Sequence, residues 1–412
     1  MTSLVITETA SVTLEEISAF ITKGSTPTTH GFSWESTGVP FLRSECVSEH
    51  GLDMRQSMFI SPAANHVLRR SQVADGDILM TITGYVGRVI RLSGVGEGNI
   101  NQHIARVRIK DRRFDPGYVY HYLSQPSIRE YYESIITGQA YPQISLVQVR
   151  ETKIPDLPLK EQQAISASLD SADEFIAKLE KMFAKKQAIK QGMIQQLLTG
   201  RIRMPGFVEP WRTARLGELL KRPPRYGINA PAIPYSIDAH TYIRITDIDD
   251  AGNFTPRPKV SVRQPSSADY LLREGELVFA RTGASVGKSY LYNPDDGELV
   301  YAGFLINLAP DPQALDPAYL ALVTQTAQYW DWVARTSVRS GQPGINGREY
   351  AQLQIMLPGI REQRAIASTV NDISREMRVL SKRLVKARAV KQGLMQQLLT
   401  GRTRLPAMEG AA

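Results

Sequence analysis

KQGMIQQLLTGRIRMP, residues 190–205, returns 201 positions later as KQGLMQQLLTGRTRLP, residues 391–406. Twelve of the sixteen positions are identical, and three of the other four exchange one apolar residue for another. A repeat of this length indicates a tandem duplication, with two halves of about 200 residues each. The architecture of one half therefore predicts that of the other.

Shorter anchors extend the match over most of both halves. They are Glu161-Gln162 with Glu362-Gln363, Ala164-Ile165 with Ala365-Ile366, Asp115-Pro116 with Asp316-Pro317, Tyr118 with Tyr319, and Phe41-Leu42-Arg43 with Tyr242-Ile243-Arg244. Between these anchors the two halves look unrelated. The pattern indicates a repeated scaffold whose intervening surfaces differ.

Each half divides into a globular part and a long helix. Short strand-like runs with Gly, Pro and Asn between them fill residues 11–157 and 212–357, which is typical of an α+β domain. We expect a first domain over residues 1–157, a central helix over 158–205, a second domain over 206–357 and a C-terminal helix over 358–412.

The helices show the 4,3 spacing of apolar residues that marks the a and d positions of a coiled coil, here called the seam. After about two and a half heptads, lysines intervene (Lys185, Lys186 and Lys386), and we expect the seam to resume beyond them. The predicted seam is Ile165, Leu169, Ala172, Ile176, Leu179, Phe183, Ile189, Met193 and Leu197, and in the second half Ile366, Val370, Ile373, Met377, Leu380, Leu384, Val390, Leu394 and Leu398.

The ends of the helices are also marked. Helices are predicted to start near Pro158 and Pro358 and to end at Leu-Thr-Gly, with Gly200 and Gly401 as C-terminal caps. Gly192 and Gly393 lie inside them. A glycine within a helix costs about 1 kcal/mol, so we expect another backbone to approach closely there.

Two such helices in one chain most simply pair with each other. Antiparallel pairing would send the globular domains to opposite ends of a rod and give the molecule an approximate internal twofold axis. A molecule with two different heads suits a ligand with two different, spaced half-sites. Duplex DNA is such a ligand, since equivalent groove faces repeat every ~34 Å.

The composition fits a polyanionic partner. The 412 residues carry a net charge of +8 and a sequence pI of about 9.4. A single cysteine, Cys46, excludes internal disulfides and a cysteine-cage metal site, and we expect a small buried side chain there. No apolar run approaches the length of a membrane span, and the N-terminus lacks the pattern of a signal peptide. These features predict a cytoplasmic protein.

The sequence contains no recognisable catalytic motif. The stretch RTGASVGKS, residues 281–289, resembles a phosphate-binding loop, but it has three residues between its glycines instead of four, and a strand-like run follows it. We expect a turn between strands. The six histidines are scattered, and no HExxH, no Gly-x-Ser-x-Gly elbow and no Asn/Asp-Pro-Pro-Tyr/Phe tetrad occurs.

Candidate recognition residues gather in the predicted turns, because Arg, Lys, Gln, Ser, Thr and Tyr contact phosphates and base edges. For any single residue, an ordinary exposed polar side chain is the alternative, and the repeated Arg43 and Arg244 have a structural alternative. The predicted DNA-binding residues are Lys23, Ser25, Arg43, Thr83, Tyr85, Arg88, Gln102, Gln139, Tyr141 and Gln143 in the first half, and Arg225, Tyr226, Arg244, Arg281, Thr282, Ser285, Lys288, Arg339 and Gln342 in the second.

The duplicated EQxAI, the heptad helix and KQGxxQQLLTGRxR, each after a divergent domain, resemble the specificity (HsdS) subunit of Type I restriction–modification enzymes over nearly the whole chain. The resemblance implies two target recognition domains, each reading half of a bipartite asymmetric DNA site, and an antiparallel coiled coil that sets the spacer. It implies no catalysis and no cofactor of the chain's own.

The resemblance also implies partners. These are two modification subunits, which carry S-adenosylmethionine and methylate adenine at N6, and restriction subunits, which carry the ATPase, with ATP and Mg, and the nuclease. The helices would dock the modification subunits, and the residues predicted to contact them are Gln191, Gln195, Leu198, Gln392, Gln396 and Leu399.

Three other readings stay open at this point. A coiled-coil adaptor would explain the helices, but it predicts domains without basic, base-reading turns. A nucleotide-dependent nuclease would need hydrolytic activity in the lone chain. A specificity subunit that serves modification alone would have the same sequence features as one from a full restriction system.

Overall fold

The computed structural model describes residues 10–49, 51–138, 141–339, 341–400 and 403. The chain forms two compact units: unit 1 comprises residues 1–180 and 382–412, and unit 2 comprises residues 181–381. Each unit therefore contains one sheet-rich domain and a part of both long helices. The predicted α+β class and the pair of long helices are confirmed.

Unit 1 is built on two four-stranded sheets, with strand orders β2-β11-β8-β9 and β6-β3-β10-β7, and two small two-stranded sheets, β1-β12 and β4-β5. Its strands are β1 (Ser11–Thr13), β2 (Ser18–Lys23), β3 (Val39–Leu42), β4 (Val47–Ser48), β5 (Gly51–Leu52), β6 (Met58–Ile60), β7 (Gln72–Val73), β8 (Ile78–Thr81), β9 (Val89–Arg91), β10 (Gly98–Ile100), β11 (Ile104–Ile109) and β12 (Lys153–Pro155).

Unit 2 repeats this plan. Its four-stranded sheets have the orders β14-β21-β18-β19 and β15-β17-β16-β20, and β13 pairs with β22 as β1 pairs with β12. Its strands are β13 (Arg212–Arg215), β14 (Arg225–Tyr226), β15 (Ile233–Pro234), β16 (His240–Ile243), β17 (Val260–Val262), β18 (Leu277–Ala280), β19 (Ser289–Leu291), β20 (Leu299–Tyr301), β21 (Leu305–Leu308) and β22 (Gln354–Leu357).

Short helices pack on these sheets, and two helices of 39 residues each contain the repeated segments. All four residues of β8 and of β18 are buried, so these strands are the centre of each domain. The helices are α1 (Leu14–Ile17), α2 (Pro62–Val67), α3 (Pro116–Leu123), α4 (Pro126–Ser134), α5 (Leu146–Arg150), α6 (Leu159–Leu197), α7 (Pro317–Val323), α8 (Ala327–Thr336), α9 (Gly347–Gln352) and α10 (Ile360–Leu398).

The repeated EQ pair marks a buried amide at the start of each long helix. In unit 1 the amide nitrogen of Gln162 donates to the carbonyls of Leu157 at 2.7 Å and Arg113 at 3.0 Å, and its oxygen accepts from the Asp115 N–H at 2.9 Å. Gln363 repeats this arrangement in unit 2 with Pro358, Ala314 and Asp316. Both side chains are almost fully buried.

The repeated Asp-Pro-x-Tyr motif belongs to the same junction. Asp115 caps α3 by accepting from the Tyr118 N–H at 2.8 Å, with Pro116 at the first helical position, where a missing N–H costs nothing. The Tyr118 hydroxyl then donates to the Pro155 carbonyl on β12. Unit 2 contains the same cap, proline and tyrosine. These motifs are therefore scaffold in both halves.

Within each unit the two long helices run antiparallel. In unit 1 Asp173 bonds Lys391 at 2.5 Å and Glu180 bonds Arg388 at 2.6 Å, so residue numbers rise along α6 as they fall along α10. The apolar contacts agree. The start of α6 shares a core with the end of α10 in unit 1, and the end of α6 shares a core with the start of α10 in unit 2.

The predicted seam is correct up to Phe183 and Leu384 and needs one correction beyond them. Ile189 and Val390 are 40% and 51% exposed, so they do not belong to it. The 4,3 spacing instead continues without interruption through half-buried polar or small residues, and these are Lys186, Lys190, Ala387 and Lys391. Met193, Leu197, Leu394 and Leu398 remain on the seam as predicted.

The predictions for helix ends and glycines have mixed outcomes. α6 ends as expected, with Gly200 in the left-handed region at φ 70°, whereas Gly401 lies outside the described residues. Among the described residues the expected close approach at Gly192 and Gly393 is not made, because nothing beyond the helix's own backbone lies within 4 Å of a Cβ built at either position. No helix in the described part of the chain is long and apolar enough to cross a bilayer.

We expect Gln162→Leu to destabilise unit 1 by about 1–3 kcal/mol, because the leucine leaves a buried N–H and two buried carbonyls without partners. Gln363→Leu should do the same in unit 2. Gln163→Leu is the matched control, since Gln163 is exposed on the same helix and its replacement should stay within about 0.5 kcal/mol. Urea unfolding followed by circular dichroism measures both. Equal losses for Gln162→Leu and Gln163→Leu would contradict this role of the amide.

Candidate nucleic-acid interface

Each domain contains a backbone crossing between the turn after its central strand and the segment before a short helix. In unit 1 the Gly84 N–H donates to the Pro142 carbonyl at 2.9 Å, and the Ile144 N–H donates to the Ile82 carbonyl at 3.0 Å. In unit 2 Gly283 bonds Pro343 and Ile345 bonds Arg281 in the same way, at 3.0 and 2.8 Å. Gly84 and Gly283 both have positive φ, which favours glycine there.

A second pair of glycines, Gly24 and Gly227, lets the chain after β2 and β14 approach the ends of β10 and β20 closely. A Cβ added at Gly24 would lie 1.7 Å from the Ile100 carbonyl oxygen, and one at Gly227 would lie 2.2 Å from that of Ala302. Only glycine fits between these strands. The preceding side chains, Lys23 and Tyr226, are thereby held next to the crossing.

In unit 1 the crossing borders an open groove of about 330 Å³. Four of the predicted residues line it: Lys23, Thr83, Gln102 and Gln143. The Gln102 oxygen accepts from the Thr26 hydroxyl at 2.9 Å, which fixes its amide, and Gln143 pairs through its backbone with Thr137. A cation, a hydroxyl and two amides in one groove can contact phosphate oxygens and base edges.

Two exposed tyrosines flank this groove. Tyr85 is 70% exposed and Tyr141 is 76% exposed, and the Arg88 guanidinium lies 4.0 Å from the centre of the Tyr85 ring. Large aromatic rings held in the open by a rigid turn can stack on bases, and an adjacent arginine adds charge. The structure therefore brings seven of the ten predicted residues of the first half to one surface.

In unit 2 the same surface has other side chains. The Arg281 guanidinium lies 4.8 Å from the centre of the Tyr226 ring, and the Tyr226 hydroxyl accepts from the Gly347 N–H at 3.1 Å. The side chain of Gln342 packs over Gly283, and the Thr282 hydroxyl contacts the Pro343 carbonyl. Arg225, one residue before Tyr226, lies over the Tyr270 ring at 4.5 Å.

Equivalent positions in the two crossings have different chemistry. Lys23 corresponds to Tyr226, Gln102 to Gly303, Tyr141 to Gln342 and Gln143 to Gly344, whereas Thr83 and Thr282 are the same. The hydrogen bonds that build the crossing involve backbone atoms, so they tolerate these exchanges. One scaffold thus presents two different sets of donors, acceptors and rings.

Several other predicted residues are bonded to their own chain. Arg43 donates to the Gln56 carbonyl, Arg244 pairs with Asp247 at 2.8 Å, Lys288 with Asp250 at 2.7 Å and Arg339 with Glu349 at 2.5 Å. The Ser25 hydroxyl bonds His30 at 2.9 Å. These pairings reduce the number of donors available to a ligand. Ser285 lies in the half-buried turn 283–285, and Gln139 lies outside the described residues.

The resemblance of residues 281–289 to a phosphate loop is not matched by the structure. The segment is a turn between β18 and β19, as expected, and a strand follows it instead of a helix. The lysine that would contact phosphates is paired with Asp250. In the described part of the chain, no three His, Cys, Asp or Glu side chains form a group that could hold a metal ion.

Cys46 is a buried structural residue, as predicted. Its side chain is 0% exposed and accepts a hydrogen bond from the Arg43 N–H, and burial raises the pKa of the thiol. A thiol with a raised pKa is a poor nucleophile.

The sequence-based prediction did not include one feature of unit 2. A cleft of about 680 Å³ opens between residues 235–241 and 259–264, with Lys259 4.6 Å from the centre of the Tyr235 ring. Ile237 beside it is 86% exposed. Phe304, 59% exposed, was also missed, although it follows the Gly303 equivalent of Gln102. Apolar residues inside a polar turn, as in 232–239, are the signal that could have found the cleft.

The residues predicted to contact a partner divide into two groups. Gln191, Gln195, Gln392 and Gln396 are exposed. Leu198 and Leu399 are 5% and 1% exposed and belong to the cores of their own units, so their side chains are not on the helix surface. Leu198 and Thr199 border a cavity of about 300 Å³ together with Trp332 and Arg335.

Comparison with known proteins gives consistent results. A family described as "Type I restriction modification DNA specificity domain" matches residues 7–191. The chain is 21% identical over 391 residues to the putative type I restriction enzyme MjaX specificity subunit of Methanocaldococcus jannaschii, covering 90% of this chain and 88% of that protein. It is 20% identical to the EcoBI specificity subunit of Escherichia coli over 73% of this chain and 67% of that one.

Solved structures resemble the whole fold. The Type I restriction–modification S subunit of M. genitalium superposes with a TM-score of 0.65 at 14% identity, over 96% of this chain and 97% of that one. A structure described as showing complex assembly and conformational transition of the type I R-M system superposes with a TM-score of 0.55 at 19% identity, over 96% of this chain and 98% of that one.

Proposed function

Because this chain belongs to the family of Type I restriction–modification specificity subunits, a non-catalytic family, we propose that each of its sheet-rich domains reads one half of a bipartite DNA sequence. The pair of equivalent crossings supports this proposal most directly. Different bases in the major groove present different donors and acceptors, so two half-sites need two sets of side chains. A shared backbone with exchanged side chains supplies them.

The two long helices would set the spacer between the half-sites. An α-helix has a fixed rise of about 1.5 Å per residue, so a helix of constant length keeps a constant distance between whatever is attached along it. The buried glutamines tie each domain to the start of its helix. Phosphate contacts from lysines and arginines would supply most of the affinity, and the net charge of +8 favours them.

The chemistry would belong to partner subunits. We propose that two modification subunits dock on the helices and carry S-adenosylmethionine, and that restriction subunits in the full complex carry ATP and Mg. This chain would bind no cofactor. A target adenine in each half-site would be flipped out of the duplex into a modification subunit, since a stacked base is out of reach of the methyl donor.

The direct test is methylation mapping. The chain is co-expressed with its cognate modification subunit in a host without adenine methylation, and the DNA is sequenced with N6-methyladenine detection. We expect one bipartite motif, methylated on both strands only when this chain is present. If no new methylation appears while the modification subunit is active with another specificity subunit, the adaptor function replaces this one.

The two grooves should act on separate half-sites. We expect Gln102→Ala and Gln143→Ala to relax the sequence of one half-site and Arg281→Ala and Gln342→Ala to relax the other, because a lost base contact costs about 1–3 kcal/mol of discrimination. The measurement is the methylated motif of each variant complex.

Lys23→Ala has a matched control in Lys110→Ala. Lys23 lies at the groove end of β2, whereas Lys110 follows the far end of β11, so both changes remove one positive charge from the same domain. Only Lys23→Ala should weaken methylation noticeably. Loss of both half-sites from a change in one groove would contradict separate reading.

Gly192 and Gly393 test the docking of the modification subunits. A Cβ has open space at both positions, so Gly192→Ala and Gly393→Ala should stabilise the free chain by up to about 1 kcal/mol. Each helix surface has exposed glutamines beside the glycine, and we propose that a partner backbone approaches there. Alanine should then weaken binding of the modification subunit about tenfold, measured by calorimetry. Higher stability with unchanged affinity would remove these glycines from the interface.

A further inference from the structure

Unit 1 contains a partly buried charged network whose members are replaced at the equivalent positions of unit 2. The Asp170 carboxylate on α6 accepts from the Arg91 guanidinium on β9, with both oxygens at 3.0 Å, and from His121 Nε2 on α3 at 2.9 Å. His121 is fully buried, and Arg91 and Asp170 are about one-third exposed. One carboxylate thus joins a strand and a helix of the domain to the long helix.

The surroundings are shaped for this network. A Cβ at Gly117 would lie 2.0 Å from the Ser166 hydroxyl and 2.3 Å from an Arg91 nitrogen, so only glycine leaves room for both side chains. The Ser166 hydroxyl lies 3.5 Å from Asp170. Close packing of this kind holds the guanidinium in one position.

Unit 2 provides an internal comparison, because each of the five positions in the network has an equivalent position there. Arg91, Gly117, His121, Ser166 and Asp170 correspond to Leu291, Ala318, Leu322, Ala367 and Asn371. Leu322 and Ala367 are each 3% exposed. The same junction is therefore apolar in unit 2, where neither an ion pair nor a titrating group is available from these positions.

Asp173, a second acid on α6, is also replaced by an uncharged residue at the equivalent position of unit 2. Asp173 pairs with Lys391 of α10 at 2.5 Å in unit 1, whereas its equivalent in unit 2 is Ser374. The equivalent lysine, Lys190, has a pKa lowered by burial and by the nearby charge of Arg378. At these two positions of α6, the acid is thus present in unit 1 and absent from unit 2.

We propose that Asp170 is a positioning residue that holds the first domain on α6 by charge, so that reading of the first half-site, unlike that of the second, weakens in acid. The attachment of the domain is argued from unit 1 alone, and only the effect on half-sites rests on the proposed function.

The acid dependence comes from His121. The charged groups that face it are Asp170 and Asp173 on α6, Lys391 on α10, and Arg91 on β9, which is paired with Asp170. Its Nδ1 is buried without a hydrogen-bond partner, so a proton there would be an unsatisfied buried donor. Burial lowers the pKa of His121 more than the Asp170 hydrogen bond raises it.

The direction of the pH dependence follows from comparing the closed junction with the open one. When the junction opens, His121 returns to its ordinary pKa of about 6.5 and takes up a proton that the closed junction disfavours. Closure is therefore strongest above that pH and weakens as pH falls below it, by at most about tenfold per pH unit. Burial raises the pKa of Asp170, but its hydrogen bonds from Arg91 and His121 outweigh this and lower it, so Asp170 stays ionised in this range.

Hydrogen exchange of the full chain tests the attachment without DNA. We expect Asp170→Asn to speed exchange in α3 and β9 about tenfold, since it removes the carboxylate shared by Arg91 and the buried His121, and to leave α7 and β19 unchanged. Asn371→Ala is the matched control and should change neither unit. Exchange in α3 that Asp170→Asn leaves unaltered, or that rises equally in α7, overturns the proposal.

Two further measurements separate positioning from ordinary packing. Exchanging all five residues for those of unit 2 (R91L, G117A, H121L, S166A and D170N) should restore slow exchange in α3 to within about threefold, because an apolar junction of similar volume can replace a buried ion pair. The wild-type chain, between pH 7.5 and 5.5 and after correction for intrinsic rates, should lose protection in α3 by up to about tenfold, and the exchanged chain should not. A pH profile that is equal in both chains overturns the role of His121.

The DNA consequence is measured once methylation mapping has given the motif. With the modification subunit present, acid should reduce discrimination against base changes in the first half-site and spare the second. Equal losses in both half-sites overturn this part of the proposal. A wild-type complex that shows no bipartite motif would overturn the proposed function instead, while the exchange results would stand.

Discussion

The buried amide of Gln162, and its counterpart in Gln363, is the interaction on which each unit depends. Through three hydrogen bonds, the amide joins the long helix to the connection that precedes it and to the residue that caps a short helix of the domain. An apolar residue could fill the same volume, but it would leave those backbone groups unpaired inside the protein. The amide also fixes the direction in which the long helix leaves the domain, because its donors and acceptor match only one orientation of the start of that helix. The start of the helix is therefore joined to its domain by the same three hydrogen bonds in both halves.

The long helices show why a periodic pattern predicts a helix better than it predicts a surface. The spacing of apolar residues predicted the seam correctly as far as Phe183 and Leu384. Beyond them the prediction wrongly included Ile189 and Val390, because apolar residues were expected to be the buried ones. The structure keeps the heptad spacing and places lysines on it. Long lysine stems can cover apolar surface while the charged ends reach acids, as Lys186 does with Glu376 and Lys391 with Asp173, both at 2.5 Å. Polar residues at such positions restrict which register two helices can adopt.

The recognition surface could be predicted in part for a similar reason. Turns are visible in sequence through their glycines and prolines, so residues beside Thr-Gly and Pro-x-Ile were identified and do come together. Pairing is invisible in sequence. Arg43, Arg244, Lys288 and Arg339 have the chemistry of phosphate ligands, but their carbonyl or carboxylate partners are 3 to 38 positions away, and only folding brings those partners into contact. The cleft beside Tyr235 was missed because its residues come from four separate segments.

Duplication gives this chain an internal control that separates scaffold from recognition. Positions that are equal in both halves, such as Gln162, Asp115, Tyr118, Gly24 and Gly84, bond or approach backbone atoms, and backbone geometry is the same in the two units. Positions that differ fall into two classes. Some face the grooves, where different side chains provide different contacts to a ligand. Others lie at the junction with α6 and bond to one another, such as the buried His121 and the partly buried Asp170. A buried difference of this second kind cannot be explained by the sequence that is read. On the proposal made above it acts instead on how firmly the first domain is held on α6, so that the two halves differ in attachment as well as in the side chains of their grooves.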